Sequence, residues 1–190
     1  MKNALLIFIL FTSCKQPGTE EVSVKPVEGT TQRTASKVAY IGERREIQTG
    51  NTTPQELLAF AKTLIGIPYK YGSTDPRQGF DCSGFITYVF NHFNIVVPRS
   101  SVDFTNVERE IALEEAQPGD IILFTGTDYT TGVVGHMGII TSTDNKDYQF
   151  IHSSSGKGRG VIITRLNEYF MKRLVKVIRV FRRNNINGKQ

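Results

Sequence analysis

The run Gln117-Pro118-Gly119-Asp120-Ile121-Ile122-Leu123-Phe124 marks the point where the chain stops reading as helix and begins reading as sheet. Pro118, Gly119 and Asp120 have turn chemistry. The four apolar residues after them, bounded by Gly126, have the length and continuity of a buried strand. Downstream, Val133 to Ile140 predicts a second strand and Thr143 to Asp147 a turn. Tyr148 to His152, Val161 to Thr164 and Val175 to Phe181 complete a sheet of about five strands. Upstream the spacing is helical. Thr53, Pro54 and Glu56 form a capping box ahead of an apolar face of Leu57, Leu58, Ala61, Leu64 and Ile65, and Gly66 closes that helix. Asp81 caps a second helix from Ser83 to about Phe93, with Phe85, Ile86, Val89, Phe90 and Phe93 on one face. A short helix capped by Ser100 or Ser101 is expected to end near Glu108. Helices first and an antiparallel meander after them make the class α+β.

The second helix places Cys82 in its first turn, where unpaired amides and the helix dipole favour negative charge and lower the pKa of a thiol. An inert core cysteine is the competing reading. Of the three histidines, His136 and His152 fall on neighbouring predicted strands. If those strands pair, both imidazoles project from one face of the sheet against the helix that carries Cys82. His136 then takes the thiol proton and His152 orients His136. The same three side chains are a possible zinc set, but no Cys-x-x-Cys or His-Glu-x-x-His spacing accompanies them, so neither metal nor cofactor is expected. His92, late in its helix, reads as a surface residue or a dipole partner. Ser153 to Gly160 is glycine-rich but opens no helix, which favours a hairpin loop over a phosphate cradle.

With 190 residues, 39% of them hydrophobic, the chain supports one domain with its own core. Lys2, the apolar stretch Ala4 to Phe11, and Thr12-Ser13-Cys14 have the layout of an export signal, and the apolar part is too short to span a bilayer. The stretch resembles a bacterial lipoprotein signal, in which the cysteine becomes the acylated first residue. Phe11 stands where such signals usually carry leucine. The expected organisation is a signal peptide over 1–13, a flexible tether over 14–50, a catalytic domain over 51–183 and a disordered tail over 184–190. A short strand around Val38 to Ile41 fits within the tether. If Cys14 carries lipid, Cys82 has no cysteine to pair with. From Arg165 to Gln190 eight basic residues stand against Glu168 alone, within a net charge of +5. A basic face of that kind meets an anionic polymer, anionic lipid or only solvent, and export removes nucleic acid as a partner.

Six stretches taken together resemble the NlpC family of bacterial cell-wall cysteine peptidases, a circularly permuted relative of the papain fold. They are Ile67 to Gly72, Gly79 to Phe85, Pro98 to Ser101, Gln117 to Asp120, Gly135 to Ile139 and Phe150 to His152, within residues 53–182. Ser73 departs from the family pattern, which repeats glycine there. The resemblance implies a papain-like fold with Cys82 as nucleophile, His136 as base and His152 as third polar member. It also implies Tyr69 beside the nucleophile, lining the oxyanion region with the Cys82 amide. Tyr71, Asp81, Ser83 and Ser101 match positions that hold the amino end of the substrate. The implied reaction is hydrolysis of peptidoglycan stem-peptide amides, typically between γ-D-glutamate and a diamino acid, without a cofactor. A monomer is expected, lipid-anchored at Cys14 in the bacterial cell envelope. Lys15 is not the aspartate that retains lipoproteins at the inner membrane, which favours the outer membrane. Two other classes stay open: a non-catalytic, lipid-anchored wall-binding protein, and a thiol acyltransferase on the same fold.

Overall fold

Thr53 is extended and its hydroxyl accepts from the Glu56 amide, while the Glu56 carboxylate accepts from the Thr53 amide at 2.9 Å. This capping box opens α1, Pro54–Thr63, in a computed structural model that describes residues 45–156 and 160–182. The predicted signal, Cys14, the strand around Val38 to Ile41, tether residues before Arg45 and the 184–190 tail lie outside the described residues. Leu57, Leu58 and Ala61 of α1 are buried as the spacing requires, but Ile65 is 49% exposed. The helix ends at Thr63, and Gly66 at φ +94° turns the chain away before Ile65 can join the buried face.

Two short strands, β1 (Thr74–Asp75) and β2 (Gly79–Phe80), pair antiparallel and lead into α2, Cys82–His92. Phe85, Ile86, Val89 and Phe90 of α2 are fully buried. Each contributes about 1.5–3 kcal/mol by leaving water. They share one cluster with Leu57, Leu58 and Ala61 and with Leu123, Met137, Ile139 and Ile151 of the main sheet. His92 is exposed and stacks on Phe60, with ring centroids 3.6 Å apart.

The main sheet contains β3 (Arg109–Ile111), β4 (Ile121–Thr125), β5 (Val134–Ser142), β6 (Gln149–Ser153), β7 (Val161–Arg165) and β8 (Leu174–Arg179); a short helix, α3 (Glu168–Met171), precedes β8. The order is β3-β8-β4-β5-β6-β7. Six strands therefore stand where about five were expected. β3 is too short and too charged to show a strand period, and only its pairing with β8 makes it one. β8 does not extend the meander but returns to the other side of β4. The segment expected as a capped helix near Ser100 is a 3₁₀ turn, Ser101–Asn106, in which the Ser100 side chain makes no capping bond. It stops at Val107 because Val107 bridges to Arg45 and Glu108 adopts φ +55°.

Phe124 pairs with His136 across β4 and β5, and Ile139 with Ile151 across β5 and β6. Side-chain alternation then puts His136, Phe124, Phe150 and His152 on one face and Leu123, Met137, Ile139 and Ile151 on the other. The two histidines do share a face, but it is the one away from α2. Met137 and Ile139 take the face that α2 covers, which turns His136 to the opposite side.

Residues 45–50, counted with the tether on sequence grounds, are held against the domain. Glu108 donates its amide to the Arg45 carbonyl at 2.9 Å, and its carboxylate accepts from the Ile47 amide at 2.5 Å. Ile47 and Thr49 are buried. The basic C-terminal stretch is not an open patch among the described residues. Arg165 pairs with Asp147 at 2.6 Å, Arg179 with Asp120 at 2.9 Å and Arg182 with Glu46 at 2.6 Å. Lys176 donates to the Thr105 carbonyl, and Arg173 is buried. Counting charges along the sequence could not reveal these partners, because most come from distant segments.

Candidate active site

Asp81 fixes the start of α2. Its backbone is extended and its carboxylate accepts from the Gly84 amide. The same carboxylate receives Arg99 in a two-pronged bond, Nη1 to Oδ1 at 3.0 Å and Nη2 to Oδ2 at 2.7 Å. Arg99 Nη1 also donates to Ser83 Oγ at 3.0 Å. Such a fork holds a planar carboxylate more firmly than a single contact does. The loop before the helix is close enough to demand glycine. A Cβ on Gly84 would stand 2.1 Å from the Ser73 carbonyl oxygen and 2.8 Å from Asp81 Oδ1. Gly84→Ala is expected to cost about 1–3 kcal/mol through overpacking, read as a lower urea midpoint with unchanged slope.

Cys82 follows at the first helical position and lines an open cleft of about 410 Å³ with Tyr69, Tyr71, Asp81, Ser83, Arg99, Ser101 and Gly135. All four positions named as substrate contacts, Tyr71, Asp81, Ser83 and Ser101, thus face the same opening as Cys82. They differ in availability. Tyr71 is 88% exposed, whereas Asp81 and Ser83 are buried and already bonded to Arg99. Tyr69 is placed by a bridge between its backbone and Phe80, whose carbonyl also accepts from Ser153 Oγ at 2.7 Å.

The thiol does not carry the lowered pKa expected of a helix start. Burial pushes Cys82 up, the Asp81 charge adds to that, and the amides of Ser83 and Cys82 with Arg99 offset only part of it. Desolvation of a thiolate outweighs two amides here. The neutral thiol donates to the Gly135 carbonyl at 3.9 Å, beside His136. Burial, and after it the charge that a Cys82 thiolate would carry and that of Asp81, raises the Tyr69 phenol, which keeps it a donor.

His136 Nε2 lies 2.8 Å from His152 Nδ1, and His152 Nε2 lies 2.9 Å from Thr164 Oγ1. The bond leaves His136 Nδ1 as the ring atom available to a thiol. Burial, and to a lesser extent the charge of Arg173, lowers the His136 pKa to about 4. Its ring is flanked by Phe124 at 6.1 Å and Phe170 at 6.4 Å between centroids. Arg173 lies over the Tyr169 ring at 4.9 Å and donates to the Thr125 carbonyl at 2.7 Å. Neither histidine lines the cleft, although Gly135 does. Among the described residues no three His, Cys, Asp or Glu side chains gather as a metal site.

Sequence reasoning missed the clamp by Arg99, the Gly135 carbonyl, Thr164 and the buried cation Arg173. Arg99 stood in the quoted run Pro98 to Ser101, the one trace of it available beforehand. Thr164 and Arg173 carried no signal, since a threonine in a strand and an arginine in a basic stretch are ordinary.

Comparison with known proteins bears on the family and the fold. The chain is 35% identical over 143 residues to a γ-DL-glutamyl hydrolase of Bacillus subtilis, a match covering 75% of this chain and 33% of that protein. It spans about a third of the length of the first curated relatives it matches. The crystal structure of an NlpC/P60 family protein from Bacillus cereus superposes with a TM-score of 0.61 at 28% identity, over 70% of this chain and 42% of that one. The NlpC/p60 domain of the peptidoglycan hydrolase SagA gives a TM-score of 0.56 at 25% identity, over 67% of this chain and 99% of that one. The pattern of the NlpC/P60 family spans residues 66–179, from the turn after α1 to the end of β8, and the chain belongs to that family.

Proposed function

We propose that this protein is a cell-wall cysteine endopeptidase that hydrolyses stem-peptide amides of peptidoglycan, at the bond between γ-D-glutamate and a diamino acid. The observation that carries the reading is the cleft itself, in which Cys82 at a helix start meets the Gly135 carbonyl, one residue before His136, whose Nε2 is bonded to His152. The names of two relatives, a γ-DL-glutamyl hydrolase and a peptidoglycan hydrolase, support the substrate class. The bond within the stem is our own extension.

Cys82 turns from the Gly135 carbonyl toward His136 Nδ1, gives up its proton there and attacks the amide carbonyl carbon. The oxyanion accepts from the Tyr69 hydroxyl and the Cys82 amide. Collapse breaks the C–N bond as His136 returns the proton to the leaving amine, leaving a thioester on Cys82. Water, deprotonated by His136, attacks the thioester, and release of the acid restores the thiol. A neutral thiol and a neutral imidazole suit this order, in which the proton moves only when substrate excludes water.

Lys2, the Ala4 to Phe11 stretch and Cys14 support export and lipid anchoring, which would place the domain at the envelope, on the outer membrane. The deciding experiment is incubation of the purified protein with defined muropeptides in ¹⁸O-water, followed by mass spectrometry. A single cut after γ-D-glutamate with ¹⁸O in the new carboxyl is expected. A new amide or ester in place of the acid would identify a transferase, and intact muropeptides bound to the protein would identify a wall-binding module.

A further inference from the structure

The bonds behind the nucleophile end on a residue with no mark in the sequence pattern. His136 Nε2 to His152 Nδ1 is 2.8 Å and His152 Nε2 to Thr164 Oγ1 is 2.9 Å. Each bond needs one donor and one acceptor, so the neutral chain has two proton arrangements. In the first, His136 Nε2–H donates to His152, His152 Nε2–H donates to the Thr164 oxygen, and His136 Nδ1 carries a lone pair. In the second, the Thr164 hydroxyl donates to His152 Nε2, His152 Nδ1–H donates to His136 Nε2, and the proton of His136 sits on Nδ1. Only the first leaves a nitrogen able to accept the thiol proton. In the second, Nδ1 is already protonated and Nε2 is engaged. The first also needs no rearrangement when His136 becomes an imidazolium, because its Nε2–H already points at His152.

The geometry points to Thr164 as a positioning residue of the reaction: by accepting from His152 Nε2 it holds the tautomer in which His136 Nδ1 is the base. Thr164 is suited to that by its place. It pairs with Phe150 on β6, and Ile162, two residues earlier on β7, pairs with His152. A β-branched side chain on a paired strand has little rotamer freedom, so the hydroxyl is presented in a fixed direction. The inference rests on the reading of Cys82 as nucleophile and His136 as base.

Thr164→Val keeps the shape of the side chain and removes the hydroxyl. Thr164 is partly exposed at the surface of its strand, a position where valine is readily accommodated. Loss of one such hydrogen bond is expected to lower kcat about tenfold and to leave KM within about twofold. Thr164→Ser should restore kcat to within about threefold of the parent, since the hydroxyl returns. A readout that needs no substrate is the ¹⁵N spectrum of the imidazole nitrogens. The parent protein should show His136 protonated at Nε2 and bare at Nδ1, and Thr164→Val should show a mixture. Unchanged kcat in Thr164→Val, or a lowered kcat that serine does not restore, would overturn the proposal. So would ring-nitrogen shifts placing the parent proton on His136 Nδ1. If the parent cleaves no stem peptide, the function proposed above fails, while the ring-nitrogen shifts still decide the role of Thr164.

Discussion

Cys82→Ala is expected to lower the release of cleaved stem peptides by at least about a thousandfold in kcat/KM, because in the proposed reaction the thioester forms on the Cys82 sulfur. The fold should survive. Cys82 is buried at the edge of the core, and trading a thiol for a methyl there should shift stability by no more than about 1–2 kcal/mol. The measurement is mass spectrometry of muropeptide digests, alongside urea unfolding of both proteins. Activity of Cys82→Ala at a tenth of the parent rate or above would remove the thiol from the chemistry. Iodoacetamide gives a second view. With the thiol pushed up by burial, alkylation of Cys82 should keep rising through pH 8–9 and show no plateau near neutrality.

His136→Gln is expected to be nearly as severe, about a hundredfold or more in kcat/KM, since members of one catalytic unit do not act independently. The same variant reports on stability. His136 has a folded pKa of about 4 against an ordinary 6.5. Between those values the unfolded chain binds more protons than the native one, so lowering pH through this window destabilises the native state. The full shift corresponds to roughly 3 kcal/mol, and partial exposure of the ring reduces it to about 2. Parent stability should therefore fall relative to His136→Gln as pH drops from 6.5 to 4, with no further change below that. Asp120, raised by burial to about 6 despite Arg179, acts in the opposite sense over part of the same window. It does so in both proteins and cancels in the difference. The same shift puts the acid limb of kcat/KM below pH 5, and a limb near 6.5 would contradict a buried, neutral His136.

The parts of the molecule legible in advance are those whose cause is local. The capping box at Thr53, the Asp81 cap and the four apolar residues of β4 each announce themselves within one or two turns of chain. What stayed hidden depends on distant partners. β3 is a strand only because β8 lies beside it. The face on which His136 lies follows from which of two alternating sets α2 covers, and each set alone could have faced the helix. Dipole reasoning set the direction of the Cys82 shift wrongly because it counts nearby amides and not the water excluded by the cleft walls. Arg173 looked like one more surface charge in a basic stretch, yet it is folded under Tyr169 beside Phe170 and tunes the imidazole.

The docking of residues 45–50 sets how the domain bears mechanical load. A pull on the chain ahead of Arg45 reaches the domain through the Arg45–Val107 bridge, the Glu108 amide and the Glu108 carboxylate. From there the chain runs directly into β3, which pairs with β8 at the edge of the sheet. The first element to yield is then the 45–50 segment. The Cys82 helix packs on β5 and β6 as well as on α1. Tension applied ahead of Arg45 would peel the 45–50 segment first.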